Sequence, residues 1–344
     1  MASEYDFIVV GGGTAGNVVA GRLTENPKVS VLVIEAGRGD PQNIPEITTL
    51  ARAFENHGGP NDWAYKSTMI NRDDYERVEK PNTRGKVLGG KGTFDDWEPY
   101  GGSGWTWEGV KEYFDKPANY HDDLGLYPKL RNIGRNGPLH AELVPKLEPF
   151  REALKKAWVS KGQKLTDDIY SGTMSGLTHC VNTIYRGLRS SSWSYLVGKP
   201  NITVLSSSHG KRLIIQGDRV TGVEVRGPNG EDLVVTARRE VIVAGGVYES
   251  PKLLLLSGIG PAKDLAQFNI KTVVDSPHVG QNLLDHPILP HVFRLKDGYG
   301  LDDHQLRAGP QHDGAVAAYF SWSILIIRFS RKALLLILLS SIVL

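Results

Sequence analysis

The first apolar run of the chain, Phe7-Ile8-Val9-Val10, is unbroken by polar residues, the pattern of a strand buried on both faces. It stops at Gly11-Gly12-Gly13-Thr14-Ala15-Gly16, and the stretch Asn17–Leu23 that follows has helical character. A second apolar run, Val29 to Ile34, predicts another buried strand, so the chain opens as strand, loop, helix and strand. Pro41 to Tyr120 is rich in Gly, Pro, Asn, Asp and Trp and reads as loop with short helices, one starting near Trp107. Helical spacing returns at Pro149–Lys161, where Phe150, Leu154, Ala157 and Trp158 share a face. Asn201–Leu205, Arg212–Gln216 and Val220–Val225 predict strands. The turn Gly227-Pro228-Asn229-Gly230 leads to a hairpin partner at Leu233–Thr236. A last buried strand is expected at Glu240–Ala244. It ends at Gly245-Gly246, and Ser250-Pro251 has N-cap and N1 chemistry for an apolar helix ending at Gly258.

The loop carries the first chemistry. Gly11, Gly13 and Gly16 fit the G-x-G-x-x-G spacing, immediately after a strand and at the start of a helix. The first glycine permits a tight turn, the second lets a diphosphate approach the backbone, and the third lets helix and strand pack closely. Thr14 and Ala15 lie between them, at the positive end of the helix. Glu35 ends the second strand 19 residues beyond Gly16, where an acid accepts hydrogen bonds from a ribose. The pattern implies a dinucleotide ligand.

Composition narrows the rest. The 344 residues suffice for two domains, and 40% hydrophobic content supplies a core. Lys and Arg number 40 against 38 Asp and Glu, a net charge of +2 that gives no electrostatic case for nucleic acid. The single cysteine, Cys180, excludes an internal disulfide or a cysteine-rich metal site and points to a reducing compartment. No secretory signal precedes the first strand, so the expected location is cytoplasmic. From Tyr319 the chain becomes strongly apolar, but the run uninterrupted by charge, 333–344, has 12 residues, against about 20 for a membrane span. A tail anchor, a lipid-surface or core helix, and a stretch that is no evolved segment all stay open. Membrane association is the weaker expectation.

Five ordered motifs carry a family resemblance. They are the Gly11–Gly16 loop; Arg84-Gly85-Lys86-Val87-Leu88-Gly89-Gly90; Gly187-Leu188-Arg189-Ser190-Ser191-Ser192; Val241–Pro251 with its continuation to Pro261; and Val279-Gly280-Gln281-Asn282-Leu283-Leu284-Asp285-His286-Pro287. Together they resemble the glucose–methanol–choline (GMC) oxidoreductases over roughly residues 5–315. The resemblance implies an α/β fold: an FAD-binding Rossmann-like domain assembled discontinuously, with a partial α+β substrate domain. The expected layout is 1–90 and 178–287 for the FAD domain, 91–177 for an insertion with part of the substrate domain, 288–320 for more of that domain, and 321–344 for the apolar tail.

FAD, rather than NAD, is the cofactor this resemblance implies. Gly11, Gly13, Thr14, Ala15 and Gly16 would hold its diphosphate, Glu35 its ribose, and Ala36 and Gly37 would lie nearby. Val87, Gly89 and Gly90 would pass the flavin end, and Gly245, Asn282, Asp285 and His286 would lie along the cofactor. The activity implied is oxidation of a small-molecule alcohol at CH–OH, with hydride passing to flavin N5 and a His as base. No catalytic residue is named, because His291, His304 and His312 do not match the family's base. The family pattern after Gly89-Gly90 is also absent, since Lys91 follows directly. Impaired turnover is therefore expected. A non-catalytic flavin-binding remnant and a tail-anchored membrane protein are the alternatives.

Overall fold

The computed structural model describes residues 3–48, 58–68, 79–81, 98–123, 125, 133–143, 149–166, 170, 172, 176–178, 181–283 and 313. The junction at Gly90–Lys91 and the apolar tail lie outside these residues. The chain divides into two units, Met1–Pro145 with Thr166–Pro287, and Lys146–Leu165 with Ile288–Leu344. In the second, the expected helix forms over Pro149–Ser160.

The first unit is built on a six-stranded sheet. Its strands are β1 (Ser3–Val10), β2 (Val31–Ile34), β3 (Ile202–Leu205), β4 (His209–Gln216), β5 (Arg219–Arg226) and β6 (Asp232–Val243), in spatial order β4-β5-β6-β1-β2-β3. β6, β1, β2 and β3 run parallel, whereas β4, β5 and β6 form an antiparallel meander. Helix α1 (Thr14–Leu23) crosses from β1 to β2. Because strand side chains alternate, β1 and β2 feed two cores. Ile8, Val10, Leu32 and Ile34 join Leu213, Val223, Val225 and Leu253 on one face. Phe7, Val9, Val31 and Val33 meet Ala20 of α1 on the other. This double burial explains the unbroken apolar runs in the sequence.

Two expectations need correction. The strands expected at Leu233–Thr236 and Glu240–Ala244 form one continuous strand, β6, which ends at Val243. The polar break at Arg238-Arg239 does not end the strand: β1 pairs with it over Val235–Ala237 and, after a register shift at the two arginines, again over Glu240–Val243, while β5 pairs only as far as Thr236. Arg238 is held by Asp6 at 3.1 Å and Glu4 at 3.2 Å. Arg238 and the Ser30 N–H keep the Asp6 carboxyl well below the usual carboxylate range. The second correction concerns the late helix, α2, which spans Gly246–Leu256 with Gly245 as its cap. It starts directly from the glycine turn after β6, and Gly246 takes a φ of +79° that leads the chain straight into the helix. Pro251 therefore falls inside α2, where it lacks the N–H that would bond the carbonyl four residues back.

A smaller sheet pairs Ala118–His121 with Leu139–Glu142, next to a hairpin of Ile184–Tyr185 and Leu188–Arg189. His121 Nε2 and His140 Nδ1 are 2.8 Å apart, and the Tyr185 ring stacks on His121 with centroids 3.8 Å apart. Burial, then the neighbouring His140, pushes the His121 pKa down. The folded state therefore resists a proton that the unfolded state accepts near pH 6.5. Stability from this group is full above that pH and declines as pH falls towards the folded value. Among the described residues, Asp123, Arg186 and Arg135 also act on His121, and Asp123 and Arg186 act on Glu142 as well. Burial raises the Glu142 pKa, which acts with the opposite sign in a lower window, near and above pH 4.5. We expect the thermal midpoint to fall between pH 7.5 and 5.5, and His121→Gln to flatten that fall. Identical slopes for the two proteins would remove His121 from the account.

Candidate dinucleotide site

The carboxyl ends of β1 and β6 meet where the chain departs to opposite sides of the sheet, towards β2 from one strand and α2 from the other. Ligands of open α/β sheets bind at such a switch point. A cleft of about 840 Å³ lies here, within the range of small-molecule sites. Gly11, Gly13, Thr14, Ala15, Glu35, Ala36 and Gly245 all line it.

Each loop glycine has a distinct reason. Gly11 has a φ of +109°, and a Cβ there would come 2.5 Å from the Ala244 carbonyl oxygen. Gly16 faces back under the loop, where a Cβ would overlap the Gly11 carbonyl oxygen. Gly13 is the N-cap of α1, and a Cβ on it would meet no protein atom within 4 Å. The space before Gly13 is thus open to a ligand. α1 has no acidic residue in its first turn, so its positive end faces the cleft without a competing carboxylate from its own helix. These features suit an anionic diphosphate.

Glu35 has a structural task beyond the one read from its spacing. Its Oε2 accepts the Gly12 N–H and its Oε1 the Gly37 N–H, both at 2.7 Å. Two lone pairs per oxygen leave acceptor capacity for hydroxyl groups as well. Gly37 is placed by this bond at the exposed edge of the loop.

The sequence reading missed the far wall of the cleft. Asn61, Asp62, Trp63 and Tyr65 come from a loop without periodicity, and Ser208, His209 and Gly210 from the start of β4. Trp63 stacks on Tyr65 at 5.6 Å and meets His209 edge-on at 5.4 Å. The Tyr65 hydroxyl donates to Glu249 of α2, which also pairs with Lys252 at 3.0 Å. Burial pushes the Glu249 carboxyl up, but Tyr65 and Lys252 outweigh it and leave its pKa below the ordinary value.

Asn282 is not brought to this cleft. It lines a second cavity of about 1110 Å³ in the same unit, with Val247, Pro251 and Leu255 of α2. Glu249 and Leu253, on another side of that helix, line the first. Asn282 itself adopts a φ of +59°. Val87, Gly89, Gly90, Asp285 and His286 lie outside the described residues. Among the described residues, no cluster of three or more His, Cys, Asp or Glu could hold a metal, and no helix is long and apolar enough to cross a membrane.

Known proteins share this fold. A solved formate oxidase from Aspergillus oryzae RIB40, from work on FAD modification in that enzyme, superposes with a TM-score of 0.89. It is 52% identical, and the match covers 93% of this chain and 59% of that one. The choline oxidase of Arthrobacter globiformis is 36% identical over 307 residues, 83% of this chain and 55% of the relative. An oxygen-dependent choline dehydrogenase of Sinorhizobium fredii is 35% identical over 300 residues, 82% and 53% of the two chains. The chain thus spans about half the length of the curated relatives it matches. Residues 5–288 match the family described as GMC oxidoreductase. With the phosphate-type loop, the switch-point cleft and this match in agreement, the chain belongs to the GMC oxidoreductase family.

Proposed function

We propose that this chain binds FAD in the cleft at the ends of β1 and β6 and forms the cofactor-holding portion of an oxidoreductase acting on CH–OH donors. The observation that carries the reading is the open space in front of Gly13, at the positive end of a helix whose loop is locked from below by Gly11 and Gly16. The N–H groups of the loop and first turn, at Gly13, Thr14 and Ala15, would hold the diphosphate. Glu35 would accept from ribose hydroxyls with the lone pairs that Gly12 and Gly37 leave free. Trp63 and His209 offer flat rings to a base at the far wall. When bound, FAD supplies the hydride acceptance and the return of electrons to an external acceptor.

The chain's own residues bind and orient; none of those described is assigned as the base. A base has to lie within hydrogen-bond reach of the donor hydroxyl, and none of the residues lining the cleft is matched to that role by the family resemblance. We therefore propose that the polypeptide of these 344 residues holds FAD without oxidising a donor. Choline, formate and small primary alcohols form the test panel, the first two being substrates in the names of its relatives. With FAD-loaded protein under anaerobic conditions, the flavin absorbance is expected to persist with every donor. Bleaching by any of them would show that the base lies within this chain.

A further inference from the structure

The Gly187–Ser192 motif is not absorbed by the cofactor reading, yet it leads into a segment that runs the length of α1. Ser192 Oγ accepts from Asn17 Nδ2 at 3.1 Å and donates a long bond, 3.5 Å, to the Gly13 carbonyl. One turn on, Tyr195 packs so closely on α1 that a Cβ at Gly21 would come 2.7 Å from the Tyr195 carbonyl oxygen. Lys199 Nζ then donates to the Gly21 carbonyl at 3.2 Å. Asn201 Nδ2 closes the far end, with the carbonyls of Thr24, Asn26 and Val29 within 3.2 Å. Before Ser192, the Ser190 Oγ accepts the His140 N–H at 3.0 Å, and so ties the same segment to the small sheet.

We propose that residues 192–201 are a strap that positions the phosphate loop, with Ser192 as the positioning residue. The reasoning follows from peptide geometry. In a trans peptide, the carbonyl of one residue and the N–H of the next point in opposite directions. The Gly13 carbonyl already accepts the Asn17 N–H at 3.0 Å. Ser192 holds that carbonyl, and the Asn17 side chain behind it, from outside the helix. The Thr14 N–H is thereby turned away from the helix body, on the side where Thr14 lines the cleft. Glu35 fixes the loop from the other side through the Gly12 N–H. The two anchors act on successive residues, so the donors are set before a ligand arrives. Asn17 is buried, and among the described residues its Oδ1 has no partner and Ser192 is the amide's one side-chain tie.

The inference rests on the FAD reading only for its ligand, and two measurements separate them. The first is amide hydrogen exchange over residues 11–16 in the 344-residue chain without FAD. The second is FAD affinity from flavin fluorescence. Ser192→Ala is expected to speed loop exchange about tenfold and weaken FAD binding about tenfold. Asn17→Ala, which removes the same tie from the helix side, should reproduce the faster exchange. Ser190→Ala cuts the strap from the small sheet but not from the loop, and should leave both readouts at wild-type values. Wild-type exchange and affinity in Ser192→Ala, or equal effects from Ser190→Ala, would overturn the strap. Failure of the wild-type chain to bind FAD would overturn the cofactor reading instead, and the exchange comparison would still decide the strap.

Discussion

Gly16→Ala is expected to cost about 3 kcal/mol of stability and at least a hundredfold in FAD affinity. The new methyl group would overlap the Gly11 carbonyl oxygen, and it would also press on Val9 Cγ1 at 3.1 Å. Backbone cannot evade a clash by changing rotamer, so α1 has to move away from β1 or the loop has to open. Either movement disturbs the Gly11 turn, which is held by the Gly11 N–H bond to the Ile34 carbonyl at 2.8 Å and crowded by the Ala244 carbonyl. The informative control is Gly13→Ala. Gly13 has an ordinary φ of −76°, and its Cβ would meet no protein atom within 4 Å. That substitution should leave the thermal midpoint nearly unchanged while lowering FAD affinity, because the added methyl group fills space assigned to the ligand. Equal affinity for FAD in Gly13→Ala and wild type would place the diphosphate elsewhere.

Glu35→Gln comes second in expected effect. The carboxylate accepts two backbone N–H groups at 2.7 Å, one from the phosphate loop and one from the turn after β2. An amide keeps one acceptor and presents an NH2 group to the other donor. One charge-assisted bond is lost and a donor is left facing a donor, a change of about 2 kcal/mol for a half-buried group. FAD affinity should fall at least tenfold, through both the disturbed Gly12 and the weakened ribose acceptor. Chemical denaturation and fluorescence titration report the two effects separately. If Glu35→Gln keeps wild-type stability, the carboxylate does not brace the loop.

The part of this site legible in the sequence is the part that is local. β1, the loop, α1, β2 and Glu35 lie within 35 residues, and hydrophobic period, glycine spacing and distance to the acid all act over that range. The far wall depends on pairings that no local pattern encodes. His209 reaches the cleft because β4 is carried there by a sheet order linking strands some two hundred residues apart. Trp63 and Tyr65 arrive from a stretch without periodicity, so no face could be assigned to them. The second role of Glu35 was hidden for a related reason. Its spacing announces an acid near a ribose, but whether its oxygens also meet Gly12 and Gly37 depends on the curl of the loop. Misleading local chemistry explains the late helix. Ser250-Pro251 has good N-terminal residues, yet Gly245-Gly246 had already turned the chain into the helix.

The most direct measurement is a calorimetric titration of the purified chain with FAD and, in parallel, with NAD. The account predicts saturable uptake of one FAD per chain, sharply weakened in Gly13→Ala, and no comparable binding of NAD. Tight binding of NAD by a chain that ignores FAD would contradict it.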